Sequence, residues 1–284
     1  VSEPASARLK IRHVTGFSYD GAARASYNEA RMTPVTSAHQ TVLSARITTT
    51  PNAVQSTYRD FFGTVVTVFD LQKPHSRLEV TAEATVDTTP PAPLEAPWSA
   101  DELRDPAVED RFCEYLVPTP RTTLDAHVLD EARSQFCELD VHAAAHAATD
   151  WVRGQVRYVT GSTNVTSTAD EVWRQGEGVC QDLTHVTIAV LRSLGIPARY
   201  VSGYLHPIAG SSIGEAVMGQ SHAWVEYFGG QWVGIDPTNG GEVGIHHVVV
   251  ASGREYGDVP PLKGIYHGEP SRALGVVVEI TQLS

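Results

Sequence analysis

One cysteine, one histidine and one aspartate stand where their residue types could do covalent chemistry. Cys180 lies in Gly176-Glu177-Gly178-Val179-Cys180-Gln181-Asp182-Leu183-Thr184-His185, directly before an apolar-periodic run from Leu183 to Leu194. Gly195-Ile196-Pro197 closes that run with the glycine-then-proline signal of a helix C-terminus, which puts Cys180 in the first turn of a helix. There the unpaired N–H groups and the positive end of the helix dipole stabilise a thiolate. The same N–H groups can donate to an oxyanion forming on an attacked carbonyl. A structural reading is also open, because Cys180 shares an arc with Leu183, Leu191 and Leu194 and a small thiol is an ordinary core residue. Cys180 alone does not separate the two.

The separation comes from downstream. Ser221-His222-Ala223-Trp224-Val225-Glu226-Tyr227-Phe228 alternates and is aromatic-rich; Gly229-Gly230 follows, then Gln231-Trp232-Val233-Gly234-Ile235 running into Asp236-Pro237-Thr238-Asn239-Gly240. This is a β-hairpin pattern, with His222 at the start of one strand and Asp236 at the end of the other. A helix-terminal cysteine followed by His and Asp on adjacent strands is the thiol version of nucleophile, base and orienter. Side-chain parity adds a constraint. A two-residue Gly229-Gly230 turn would pair Phe228 with Gln231 and aim Asp236 away from His222. For the two to meet, Tyr227 must face Gln231, which requires an odd connection, Phe228-Gly229-Gly230, or a bulge.

Helical geometry sorts the other polar residues near Cys180. At 100° per residue Asp182 lies about 200° and His185 about 140° round the helix from the sulfur. His185 is therefore a poor base, and Asp182 is assigned a supporting pairing, with Arg199 the expected partner.

G-x-C-x-D at Gly178–Asp182, S-H-A-W-V-E at Ser221–Glu226 and D-P-T-N at Asp236–Asn239 occur in an order that resembles the transglutaminase-like family of papain-type thiol enzymes. Tyr27-Asn28-Glu29-Ala30-Arg31-Met32-Thr33-Pro34, Tyr58-Arg59-Asp60-Phe61-Phe62-Gly63 and the late Asp258-Val259-Pro260-Pro261 resemble segments of bacterial members of that family, including its N-terminal domain. The resemblance implies an α+β chain: an N-terminal antiparallel β-sandwich or barrel over residues 1–88, a proline-rich linker over 89–108, and a papain-like transglutaminase-core domain over 109–284.

Composition agrees with a globular chain. A length of 284 residues suits one large or two ordinary domains with an ample core. With 21 Lys and Arg against 33 Asp and Glu, a formal charge of −12 argues against nucleic acid or an anionic membrane as the main partner, and fits a basic or amine-bearing substrate. No apolar run approaches the roughly 18 residues of a membrane span, and residues 1–10 carry no apolar signal-peptide core. Cys113, Cys137 and Cys180 are a sparse, odd set, which points to free thiols and a cytoplasmic location. Cys113 and Cys137 lack catalytic neighbours and are expected to be buried.

Strands are expected over 9–17, 42–49, 63–70 and 77–87, with turns at Asp20-Gly21, Pro51-Asn52 and Lys73-Pro74. Asn28, Glu29 and Arg31 suit either a polar cleft wall or, preferably, a satisfied interdomain contact. Pro90, Pro91, Pro93, Pro97 and Pro106 mark the linker. Helices are expected over 124–136, 141–156 and 169–175, and a polar loop over 162–168. His142 and His146, four residues apart, could bind a metal; with no third ligand evident, a solvated helix face is preferred. Residues 198–204 read as a strand, 206–220 as a mobile Gly- and Ser-rich loop beside His222, His246 and His247 as core or surface, and 275–283 as a last strand that closes the sheet or docks on the N-terminal domain.

These readings converge on one expected reaction. Cys180 attacks an amide carbonyl, His222 takes and returns the proton, and Asp236 fixes the imidazole tautomer. The Cys180 N–H, with Gln181 N–H as a weaker candidate, donates to the oxyanion, and Asp182 supports the helix start. The thioester is resolved by an amine or by water, and no metal or cofactor is required. The expected partners are a peptide or protein amide and an amine acceptor. A cysteine peptidase and a non-catalytic peptide-binding module with a relict triad are the alternatives.

Overall fold

The structure, a computed structural model, describes residues 6–94, 96, 98–207 and 212–284. The first half of the chain contributes β1 (Ala7–Ala30), β2 (Gln40–Thr50), β3 (Gln55–Arg59), β4 (Val65–Leu71) and β5 (His75–Thr88). Helices α1 (Ala100–Leu103), α2 (Pro106–Phe112), α3 (Ala126–Phe136) and α4 (Val141–Gln155) follow. Then come β6 (Arg157–Tyr158), α5 (Ala169–Gln175), β7 (Glu177–Gly178), α6 (Cys180–Ser193), β8 (Ala198–Leu205), β9 (Ala216–Met218), β10 (Gln220–Phe228) and β11 (Trp232–Ile235). The chain ends in β12 (His247–Gly253), β13 (Leu262–Gly268), β14 (Ser271–Ala273) and β15 (Val277–Gln282). None of the described helices is long and apolar enough to cross a membrane.

The N-terminal region is a curled antiparallel β structure, and the region after it mixes helices with a four-stranded antiparallel sheet in the order β11-β10-β8-β12. β1 organises the first sheet. Its first half lies between β5 and β15, and its second half between β4 and β13. The expected turn at Asp20-Gly21 is absent; β1 runs through it, with a register shift between Ser18 and Ala23 where it exchanges partners. A shift of that kind bends a strand, so the chain curls here without reversing.

The last strands belong to this sheet too. β13, β14 and β15 all pair with β1, which carries residues 262–282 over to the first sheet although the sequence division counts them with the second region. Part of the expected loop over 206–220 is ordered as β9 on the edge of β15, while residues 208–211 of that loop lie outside the described residues. Of the five prolines read as a linker, Pro97 is likewise outside them and Pro106 opens α2 behind the N-cap Asp105, a position where a missing N–H costs nothing.

One apolar core joins the two halves. Leu9, Ile11, Val86, Val278 and Ile280 of the first sheet cluster with Tyr204, Ala223 and Val248 of the second. Polar locks flank it. Gln40 accepts from Val249 N–H and donates to Val249 O, both at 2.8 Å, and Thr88 Oγ1 donates to Ile245 O at 2.6 Å. Asn28, Glu29 and Arg31 lie inside the first sheet, beside residues 261–264 that the sequence division counts with the second region. Arg31 bonds Glu29 and Asp60, Asn28 bonds Ser26, and Lys263 approaches Glu29, so the group is an ion cluster internal to the first sheet.

Helix α6 is the axis of the second region. It packs on β10 and β8 with α4 and α5 beside it, and every residue from Gln181 to Arg192 is buried. On a helix surrounded on all sides a charged side chain needs partners within the protein. Arg192 finds them by donating to the carbonyls of Tyr115, Val117, Ala198 and Arg254. Burial lowers its guanidinium only to about 10, so it stays charged at neutral pH.

Ile280 is fully buried where the two sheets share their core, whereas Ile265 of β13 is 73% exposed. Ile280→Ala should cost about 2–5 kcal/mol in urea unfolding, and Ile265→Ala should change stability by no more than about 0.5 kcal/mol. Equal effects would contradict a core shared through β15.

Candidate active site

Cys180 is the first residue of α6, where the sequence put it. The chain enters the helix through Gly178, and a Cβ there would meet the Asp182 Cβ at 2.8 Å. Asp182 uses that space to curl back over the helix start, and its Oδ2 accepts from Val179 N–H at 2.8 Å and from Thr163 Oγ1. This is the side-chain half of a capping box, supplied from the third helical position. Burial raises the Asp182 carboxyl, partly offset by these hydrogen bonds from Thr163 and Val179. The expected pairing with Arg199 does not form. Arg199 points across the second sheet to Glu226, at 2.6 Å, and lies over the Trp232 ring.

The first intrahelical bonds of α6 run from Asp182 N–H and Leu183 N–H to Val179 O. The N–H groups of Cys180 and Gln181 precede them and so lie among the donors a helix cannot satisfy itself. The Gln181 side chain reaches the carbonyl of Asn164 at 3.5 Å, tying the helix start to the polar loop before it. Tyr158 and Tyr200 feel the charge of the thiol. Burial first, and then the charge of Cys180, raises both phenols.

Strand parity brings His222 and Asp236 together. β10 and β11 pair Phe228 with Trp232 and Val225 with Ile235, leaving the three-residue loop Gly229-Gly230-Gln231. Gly230 takes φ +99°, a left-handed conformation that glycine adopts without a steric penalty. The odd loop length is the expected one, but the frame differs by two: Tyr227 faces Val233 and not Gln231. Continuing that register sets Asp236 across from Trp224, with His222 two residues further along the same face. Imidazole and carboxylate therefore meet diagonally, and His222 Nε2 lies 2.8 Å from Asp236 Oδ2 with both side chains 1% exposed.

Asp236 is held from several sides. Its Oδ1 accepts from the N–H groups of Thr238 and Asn239 at 2.8 and 3.1 Å, an Asx-type turn built by the Asp-Pro-Thr-Asn sequence itself. Its Oδ2 accepts from Asn239 Nδ2 at 2.8 Å and faces His247 Nε2 at 3.3 Å. Burial would raise this carboxyl, but the hydrogen bonds from His222, His247 and Asn239 outweigh it and hold the group far below the usual carboxylate range. His222 shows the matching effect. Burial would lower the imidazole, yet the hydrogen bond to Asp236 and the charges of Asp236 and Cys180 raise it to about 9. Asp236 occupies Nε2, so Nδ1, buried and without another hydrogen-bond partner, is the nitrogen left for Cys180.

His247 and Asn239 are the contributors that sequence reasoning missed. Asn239 lay inside the quoted D-P-T-N motif, but its contact depends on the turn closing on itself. His247 carried no signal, because β12 reaches Asp236 only through the fold. His185 is excluded as base. It is fully buried, accepts Tyr256 N–H at Nε2, and is lowered to about 3 by burial and by Arg121 and Arg192. Cys113 and Cys137 are exposed, contrary to expectation, because they sit at the C-terminal ends of α2 and α3. His142 and His146 do share a face of α4, and the third group that sequence reading lacked is present: Glu242 lies beside both.

Residues 9–87 match the bacterial transglutaminase-like N-terminal region, and residues 130–237 match the transglutaminase-like superfamily, a span holding Cys180, His222 and Asp236. An uncharacterized protein of Mycobacterium leprae is 43% identical over 277 residues, covering 98% of this chain and 99% of that protein. The chain belongs to the transglutaminase-like superfamily. An uncharacterized protein of Mycobacterium tuberculosis (strain ATCC 25618 / H37Rv) is 32% identical over 309 residues, covering 96% of this transglutaminase-like chain and 92% of that protein. The crystal structure of "a Putative Cysteine Protease from Cytophaga hutchinsonii" shares the fold, with a TM-score of 0.77 at 22% identity over 99% of this chain and 92% of that one.

Two measurements probe the site. Iodoacetamide should alkylate Cys180 ahead of the more exposed Cys113 and Cys137; His222→Ala should slow that labelling, and His185→Ala should leave it nearly unchanged. The reverse pattern for the two histidines would show that the wrong base is assigned. Because the folded His222 titrates near 9 against an ordinary 6.5, its charged pairing stabilises the fold fully below about pH 6.5 and is lost as pH rises through 9. The stability advantage of the wild type over His222→Gln, read by urea unfolding, should therefore shrink between those pH values.

Proposed function

We propose that this protein is a thiol acyltransferase acting on a carboxamide, with Cys180 as nucleophile, His222 as acid–base and Asp236 as orienter. The observation that carries the reading is the buried His222–Asp236 pair, 2.8 Å apart, with the imidazole raised to about 9 beside Cys180. An imidazole that holds its proton at neutral pH stabilises the thiolate state of its neighbour and is ready to protonate a leaving amine.

In the proposed cycle the Cys180 sulfur adds to the amide carbonyl carbon, and the N–H groups of Cys180 and Gln181 are the nearest donors for the oxyanion. His222 gives its Nδ1 proton to the departing nitrogen, the C–N bond breaks, and a thioester remains. A primary amine or water then gives a proton to His222 and attacks the thioester, releasing an amide or an acid and restoring the thiol. Asp236 keeps Nε2 as the proton-bearing nitrogen throughout, which leaves Nδ1 for the reacting atoms. Asp182, Thr163 and the Gln181 side chain hold the helix start in place. The proposed substrate is a peptide or protein amide. Hydrolysis is the same thioester taken by water, the outcome a cysteine protease would give.

The protein incubated with a glutaminyl peptide, with and without a primary amine, should give an acyl adduct on Cys180 by mass spectrometry. Amine incorporation is the expected product; peptide-bond cleavage would assign a peptidase, and no adduct under either condition would remove the catalytic reading. Cys180→Ala should abolish turnover with the fold intact. Asp236→Asn should lower kcat by on the order of 10²–10⁴, because the tautomer is lost while the nucleophile remains.

A further inference from the structure

Outside the thiol site, the described residues hold one other cluster of metal-ligating side chains. His142 and His146 stand one turn apart on α4, with ring centroids 4.4 Å apart. Glu242, in the segment after β11, brings Oε1 to 3.4 Å from His146 Nε2 and 3.8 Å from His142 Nε2. One ligand atom from each residue lies within 4.8 Å of the other two. In a tetrahedral zinc site with bonds of about 2.0–2.1 Å, neighbouring ligand atoms lie roughly 3.3 Å apart. The three side chains thus need only sub-ångström to ångström-scale closure to reach that geometry.

Two details separate this cluster from an ordinary surface ion pair. His146 Nε2 is buried yet makes no hydrogen bond, although a carboxylate oxygen is 3.4 Å away. The two atoms are close but misaligned, as ligands are when they converge on a third point and not on each other. The other ring nitrogen of His142 is already committed: Nδ1 meets the hydroxyl of the buried Tyr227 at 2.6 Å. A hydrogen bond at one imidazole nitrogen orients the ring and leaves the other as the metal-facing lone pair.

We propose that His142, His146 and Glu242 form a zinc site, with the fourth position taken by water. Two imidazoles and one carboxylate suit zinc; calcium and magnesium favour all-oxygen sets. The half-exposed carboxylate and partly exposed rings leave an entry path for the ion. The site shares no residue with the thiol site, and its effect is structural. Ile235 forms a bridge with Glu242, and the backbone of Asp236 bonds Gly240 and Gly241 within the same turn. Zinc there staples α4 to the turn that presents the Asp236 carboxylate.

The test uses the full chain without an affinity tag, stripped with chelator and titrated with zinc chloride by calorimetry and thermal unfolding. One zinc per chain and a zinc-dependent rise in Tm are expected. Glu242→Gln and the double variant His142→Ala/His146→Ala should weaken binding by more than about tenfold and lose the rise, while Cys180→Ala binds like the wild type. Cobalt(II) titrated into the wild type provides a check that needs no variant: a tetrahedral spectrum without a sulfur charge-transfer band is expected. No binding by the wild type, or a sulfur-to-cobalt band lost in Cys180→Ala, would overturn the proposal, the latter by placing the metal on the thiol site.

Discussion

The hydrogen bond between Asp236 and His222 sets the requirements for everything around it. A buried carboxylate is tolerated only when its lone pairs are filled, and here two backbone N–H groups, an Asn side chain and two imidazoles converge on it. The Asp-Pro-Thr-Asn turn supplies three of those donors from within four residues. The imidazoles come from β10 and β12, strands that both lie in the four-stranded sheet but do not adjoin. Holding Asp236 charged is what keeps a proton on His222 at neutral pH, and that proton is the one the proposed chemistry moves.

The proposed nucleophile depends on a different constraint, the burial of α6. A helix enclosed on all sides cannot slide or roll without exposing core residues, so its first turn is fixed relative to the sheet it packs on. Gly178 and Asp182 complete that fixation, the glycine by yielding space and the carboxylate by capping Val179 N–H. Cys180 is the residue left at the open end. The rigid elements thus carry the groups proposed to react, as they must where an ångström of misplacement is costly.

The β region contributes at a distance. Its sheet is built from both ends of the chain, with β1 flanked by β5 and β15, and the core it shares with the second sheet makes the two parts one packed body. Gln40 and Thr88 extend that contact to β12 and to the segment just before it. Those are the elements that bring His247 to Asp236, so the first sheet supports the site through the backbone that positions one of its donors.

Local chemistry made much of this legible in the sequence. Glycine and proline punctuation set the ends of α6, alternation and paired glycines set the hairpin, and side-chain parity required an odd loop before His222 and Asp236 could meet. The helical wheel removed His185 from contention, because an angle along one helix needs no tertiary knowledge. Other features depended on contacts between residues far apart in the chain. The Arg199 partner of Asp182 was misjudged because a cross-strand Glu226 was nearer; the strand that passes through Asp20-Gly21 exists because β1 changes neighbours there. His247 on Asp236 and Glu242 beside His142 and His146 are likewise unions of separate segments. Sequence periodicity fixes which way a side chain leaves its own helix or strand; only packing decides what stands opposite, because that is set by the arrangement of whole elements around a common core.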